Sequence, residues 1–181
     1  MEETVFYIAQ ALGIVTVILG FINYQVKSRG QILMVQMSTA ACFAMHYVLL
    51  GAWTGAALNL LAVIRNLFLY FVGKKGKSIR PIAIVFAVIM GVVGVATSLI
   101  AQEKWYFVLF VWGIVINSVA LSFKKPNNIR KSILISSPPV LAYNCCVRSL
   151  GGAIYEVITI ISSIVGLIRY RDKTVEVSSE G

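Results

Sequence analysis

Residues 55–72 read GAALNLLAVIRNLFLYFV. Apart from Asn59, Arg65 and Asn66 the stretch is almost wholly apolar. It is as long as the ~18–20 residues that cross the ~30 Å hydrocarbon layer of a bilayer. An arginine at the midplane of such a segment costs roughly 2.5–3.5 kcal/mol on insertion scales, so it should face protein or water rather than lipid. What Arg65 faces depends on the rest of the chain.

The chain has 181 residues, of which 59% are hydrophobic and 13% charged. A soluble domain carries roughly twice that charged fraction. The apolar residues come in long runs, so the chain reads as an integral membrane protein with little room for a soluble domain. The net charge of +9 would suggest nucleic acid in a soluble protein. Here the basic residues sit in short loops between apolar runs, where they set orientation. The first run begins behind Glu2 and Glu3 rather than a basic region, unlike a cleavable signal peptide. Cys42, Cys145 and Cys146 lack metal-ligand spacing and read as small packing residues.

Seven helical spans are expected, at roughly 4–26, 32–50, 55–72, 81–100, 104–122, 130–148 and 152–170. Lys27 and Arg29 lie between spans one and two, and Lys74, Lys75, Lys77 and Arg80 between three and four. Lys124, Lys125, Arg130 and Lys131 lie between five and six, and Arg169, Arg171 and Lys173 follow span seven. The alternate loops hold little more than Lys104 and Arg148. This alternation predicts an N-terminus outside and a C-terminus in the cytoplasm, with Trp53 and Trp105 at the outer boundary.

The chain also repeats. Spans two and three, and six and seven, are joined by very short turns. Gly13-Ile14-Val15 recurs as Gly113-Ile114-Val115, and the span openings at Gly55 and Gly152 match. The all-α architecture predicted is therefore 3+1+3, two parallel three-helix bundles about an axis along the membrane normal. Residues 1–73 form the first bundle, 74–103 a basic loop and linker helix, 104–173 the second bundle, and 174–181 a disordered cytoplasmic tail.

The run from Ser38 to Asn66, with His46-Tyr47-Val48-Leu49-Leu50-Gly51, Thr54-Gly55-Ala56, Asn59 and Arg65-Asn66, resembles the bacterial inner-membrane protein YgjV family. The resemblance covers most of the chain and implies a multi-pass protein of the bacterial plasma membrane. More distantly, the layout is similar to the SWEET and PQ-loop transporters, which carry small solutes between two three-helix bundles by alternating access. The chain departs from them in having no Pro-Gln motif and bundle prolines only at Pro138 and Pro139. The SWEET-like asparagine of the third helix finds a match in Asn59, whose place in the second bundle is held by Glu156.

Polar residues inside the membrane are the candidate site. Asn59 and Asn66 share one face of the third span, and Glu156 and Ser163 the corresponding face of the seventh. These four are the expected solute-binding residues, with Glu156 and His46 as candidates for proton coupling. Against this stand a pairing of Glu156 with Arg148 and simple packing roles for Asn59 and His46. Asn144 is a candidate repeat partner of His46. Pro138-Pro139 should kink or break the sixth span, as a hinge or as a static bend. Arg65 is either a structural clamp, reaching Asn23, Gln25 or Gln36, or a binder of anionic solute.

The expected function is small-solute transport. The alternative is a membrane receptor or ligand-binding protein of the same fold without flux. HExxH, P-loop and GxSxG motifs are absent from the sequence, so no enzyme, cofactor or metal is expected. Membrane lipids and a small solute are the expected partners, with no nucleic acid. Gly20, Gly91 and Gly94 leave a homo-oligomer open.

Overall fold

A computed structural model describes residues 3–170 other than 24, 103 and 124, and leaves the side chains at 3, 4 and 6 undescribed. Lys124, Arg171, Lys173 and the tail 174–181 lie outside the described residues. The described residues are all-helical. The helices are α1 Glu3–Asn23, α2 Arg29–Leu49, α3 Trp53–Lys74, α4 Arg80–Ile100, α5 Phe107–Ala120, α6 Pro126–Cys146 and α7 Leu150–Arg169.

Local chemistry sets the ends. Ser28 and Gln31 form a capping box that starts α2. Prolines stand in the first turns of α4 and α6, where their missing N–H groups have no intrahelical duty. α6 therefore begins at Pro126, earlier than its hydropathy suggests.

Four helices, α2, α3, α4 and α7, are each long and apolar enough to cross a membrane. α5 has 14 residues, about 21 Å at 1.5 Å per residue, and is shorter than the span expected at 104–122. α6 is polar because Arg130, Ser136, Ser137 and Asn144 turn into the bundle, where each is at least 96% buried. Arg130 bonds Asn127 at 2.6 Å and Val26 O at 3.3 Å, and stacks on the Tyr170 ring.

The helices form a ring in chain order. Each packs on the next, α1 closes on α7, and α3 also touches α5 behind the outlying α4. The basic loops gather at one end, where Tyr170 reaches Gln25 O and Arg130 reaches Val26 O. Trp53 and Trp105 are exposed at the opposite end. Large apolar residues such as Ile84, Val88, Val92 and Leu99 cover the outside of α4, a surface suited to lipid rather than water.

The turn between α2 and α3 recurs between α6 and α7. Gly51 (φ 70°) and Arg148 (φ 56°) each take the left-handed conformation. Ala52 N bonds Tyr47 O, and Ser149 N bonds Asn144 O, both at 2.9 Å. The starts and ends of α2 and α6, and the starts of α3 and α7, are 97 residues apart, as are Tyr47 and Asn144. The Gly13/Gly113 match is out of this register by three positions. Gly113 instead lets α5 approach α6, since a Cβ there would stand 2.7 Å from Ser136 O.

Candidate functional site

A cavity of about 80 Å³ lies inside the ring, room for roughly two or three waters at ~30 Å³ each. Gln36 and Thr39 from α2, Asn59, Arg65 and Asn66 from α3, and Asn117 from α5 contribute to its wall. Ser136 and Ser137 from α6, and Glu156 and Thr159 from α7, complete the polar lining. These polar groups form a layer between two closures.

Toward the tryptophan end, Phe43, Tyr47, Phe110 and Tyr143 make an aromatic cluster, with Phe110 and Tyr143 ring centroids 4.6 Å apart. Tyr47 Oη donates to Asn144 Oδ1 at 2.6 Å. Gly55 and Gly152, 97 residues apart like the starts of α3 and α7, let these helices close on this pair. A Cβ on Gly55 would stand 2.9 Å from the Tyr47 ring, and one on Gly152 would collide with Asn144 Oδ1. Toward the basic end, Ile32, Leu33, Leu69, Leu121 and Ile129 form an apolar plug.

Arg65 is 1% exposed. Its Nε donates to Asn66 Oδ1 at 3.0 Å, and its Nη1 donates to Ser118 Oγ at 2.5 Å and lies 3.8 Å from Met90 Sδ. The arginine thus ties α3 to α5 and α4. The Asn23 amide is not one of its partners, since both polar atoms of that amide are without one, and Gln25 bonds Ser162. Gln36 shares the cavity wall with it.

The expected solute residues separate. Asn59, Asn66 and Glu156 line the cavity, and Ser163 does not. Ser163 is fully buried and its hydroxyl has no partner. Asn59 uses its amide N–H on Gly55 O at 2.8 Å, which leaves its carbonyl toward the cavity. Asn66 Nδ2 is buried without a partner, as is Asn117 Oδ1. Glu156 meets the Ser137 hydroxyl across the α6–α7 contact, while Arg148 is exposed on the turn.

His46 lies outside the cavity lining. Its Nδ1 is 2.6 Å from Ala9 O and its Nε2 is 2.8 Å from Ser149 Oγ, so both ring nitrogens are occupied. The ring ties α1 and α7 to α2. The repeat partner of Asn144 is Tyr47, the neighbour of His46. α6 runs unbroken through Pro138 and Pro139.

Sequence reasoning missed Ser118 and Asn117 of α5 and Tyr47, which lines the cavity and bonds Asn144. A polar residue within the short apolar α5 was the available signal for the first two. The small glycines serve internal contacts: a Cβ on Gly20 would stand 2.5 Å from the Tyr155 ring, and one on Gly94 would meet Val111.

A family model, Imp-YgjV, described as a bacterial inner membrane protein, matches residues 7–174. The resemblance to the YgjV family is borne out by this match. Comparisons with curated proteins and with solved structures give no match, and the likeness to SWEET and PQ-loop transporters finds no support there.

Proposed function

The chain belongs to the Imp-YgjV family of bacterial inner membrane proteins, and on that premise we propose that it carries a small polar solute across the membrane. The observation that carries the reading is the polar cavity inside the ring, lined by Arg65, Asn66, Asn59 and Glu156. A solute there would offer an acceptor to Asn66 Nδ2 and a donor to Glu156 or the Asn59 carbonyl. Its size is a few heavy atoms unless the helices part.

The proposed mechanism is alternating access. Helices α1–α3 and α5–α7 act as two bundles, with α4 as the linker between them. They rock about the central layer, opening the aromatic closure and the apolar plug in turn. The alternation of basic loops supports an N-terminus outside and a C-terminus in the cytoplasm. Pro138 and Pro139 support a hinge, because helix geometry deprives the Leu134 and Ile135 carbonyls of their N–H partners. With both nitrogens of His46 held, Glu156 is the candidate for proton coupling.

The test is a thermal-shift screen of the purified protein against small polar solutes, with Asn59→Ala and Glu156→Gln alongside. A solute that stabilises the wild type and neither variant is then offered to proteoliposomes. Uptake that Glu156→Gln abolishes supports transport. Binding without uptake assigns the same cavity to a receptor, and stabilisation that survives in both variants removes the site.

A further inference from the structure

At the basic end of the bundle, Arg29 opens α2 directly after the Ser28 cap. Its side chain crosses to the last turn of α3. There its Nη1 lies against Gly73, close enough that a Cβ on that glycine would stand 3.8 Å from it. The other edge of the guanidinium, formed by Nε and Nη2, is buried and has no hydrogen-bond partner. That edge is a pair of parallel donors whose spacing matches two oxygens of one phosphate or carboxylate. Burying two charged donors without an acceptor is costly, so the edge calls for an anion.

Arg29 lines a pocket of about 350 Å³ together with Leu33, Leu69, Tyr70 and Lys74. Tyr70 stands over the start of α2, with its ring 3.7 Å from where a Cβ on Gly30 would be. The wall is cationic at the mouth, where Lys74 is exposed, and apolar at the floor, where Leu33 and Leu69 are buried. Lys75 and Lys77 follow in the adjoining loop. A basic pocket between membrane helices, backed by apolar side chains, fits an anionic lipid head group.

We propose that this pocket is a binding site for the phosphate oxyanion of an anionic phospholipid. Arg29 turns its Nε and Nη2 edge from its buried position to grip two oxygens, Lys74 supplies the second cation, and the apolar floor takes the start of an acyl chain. The site is separate from the central cavity and stands whether or not the protein transports a solute.

The experiment is native mass spectrometry of the purified full chain titrated with phosphatidylglycerol. Arg29→Gln, Arg29→Lys and Lys74→Gln are measured in parallel, and inorganic phosphate is offered to each protein in a thermal-shift assay. The site predicts that the wild type retains phosphatidylglycerol and that Arg29→Gln binds it about tenfold more weakly. Arg29→Lys should also lose affinity, because an ammonium keeps the charge and lacks the two-donor edge. Lys74→Gln should fold normally and weaken retention less. Stabilisation by inorganic phosphate that requires Arg29 would keep the oxyanion site and assign it to a soluble phosphate. Equal lipid retention by the wild type, Arg29→Gln and Arg29→Lys would overturn the proposal, reducing the basic end to general attraction for an anionic leaflet.

Discussion

Tyr47 and Asn144 hold equivalent places in the two halves of the chain, 97 residues apart, and bond directly to each other at 2.6 Å. The bond ties α2 to α6 at the tryptophan end, beside the polar cavity that Tyr47 also lines. It also gives the closure a definite strength: a net ~1 kcal/mol for a typical intramolecular hydrogen bond. In the proposed transport cycle, a contact of that size can close the path and still be broken on a functional timescale.

Tyr47→Phe should destabilise the protein by about 1–2 kcal/mol, because it leaves Asn144 Oδ1 buried without its donor. Asn144→Leu alone should cost a similar amount. The double variant should cost less than the sum, a coupling read from a double-mutant cycle of denaturation midpoints in detergent. Full additivity would mean that the two groups do not interact.

Arg65 should not tolerate lysine. Its Nε and Nη1 donate in different directions, to Asn66 and to Ser118, and a lysine cannot supply that planar fork. Arg65→Lys should destabilise by about 1–3 kcal/mol, the range for a hydrogen bond to a charged group. Ser118→Ala should cost less, since the arginine keeps Asn66. Thermal denaturation of both variants checks the ranking, and a Ser118→Ala effect larger than that of Arg65→Lys would reverse it.

The seam between α1 and α7 depends on two glycines. A Cβ on Gly13 would stand 2.9 Å from Gly151 Cα, and one on Gly151 would collide with the Gly13 backbone. Gly151→Ala should therefore force the helices apart at a cost of ~1–3 kcal/mol, the usual range for overpacking. Gly152→Ala should be similarly harmful, because it collides with Asn144 and Ser149. Gly91→Ala, which meets only Val115 at 3.8 Å, should be silent in the same melting assay.

Arg148 takes the left-handed conformation that Gly51 takes in the matching turn. An L-residue there pays roughly 1–2 kcal/mol of strain, so Arg148→Gly should raise the melting temperature. No change or a fall would show that the Arg148 side chain contributes more than its backbone costs.

The helices were legible because apolar runs broken by basic loops leave few ways to thread a chain through lipid. Boundaries failed where hydropathy and capping disagree. α6 starts at Pro126, a proline suited to the first helical position, and not at residue 130, where the apolar residues begin. Gly55/Gly152 and Asn59/Glu156 keep the 97-residue spacing that separates α2 from α6 and the start of α3 from that of α7. The Gly13/Gly113 match, 100 residues apart, falls outside that spacing. Three of the four expected solute residues line the cavity, because residues seven apart on α3 share a face. Ser163, two turns on from Glu156 on α7, is buried beyond the lining, which on that helix ends at Thr159. The partners of Arg65 were illegible, since Met90 and Ser118 come from helices whose placement no local pattern encodes.

The central claim is that the cavity opens to each side of the membrane in turn, and cysteine accessibility tests it without knowledge of the solute. Ala62 lines the cavity and is 3% exposed. Ala62→Cys is introduced into a chain whose Cys42, Cys145 and Cys146 are replaced by serine. A membrane-impermeant thiol reagent is then applied to right-side-out and to inside-out vesicles. Alternating access predicts labelling of residue 62 from both sides. Labelling from one side only, or from neither, would contradict it.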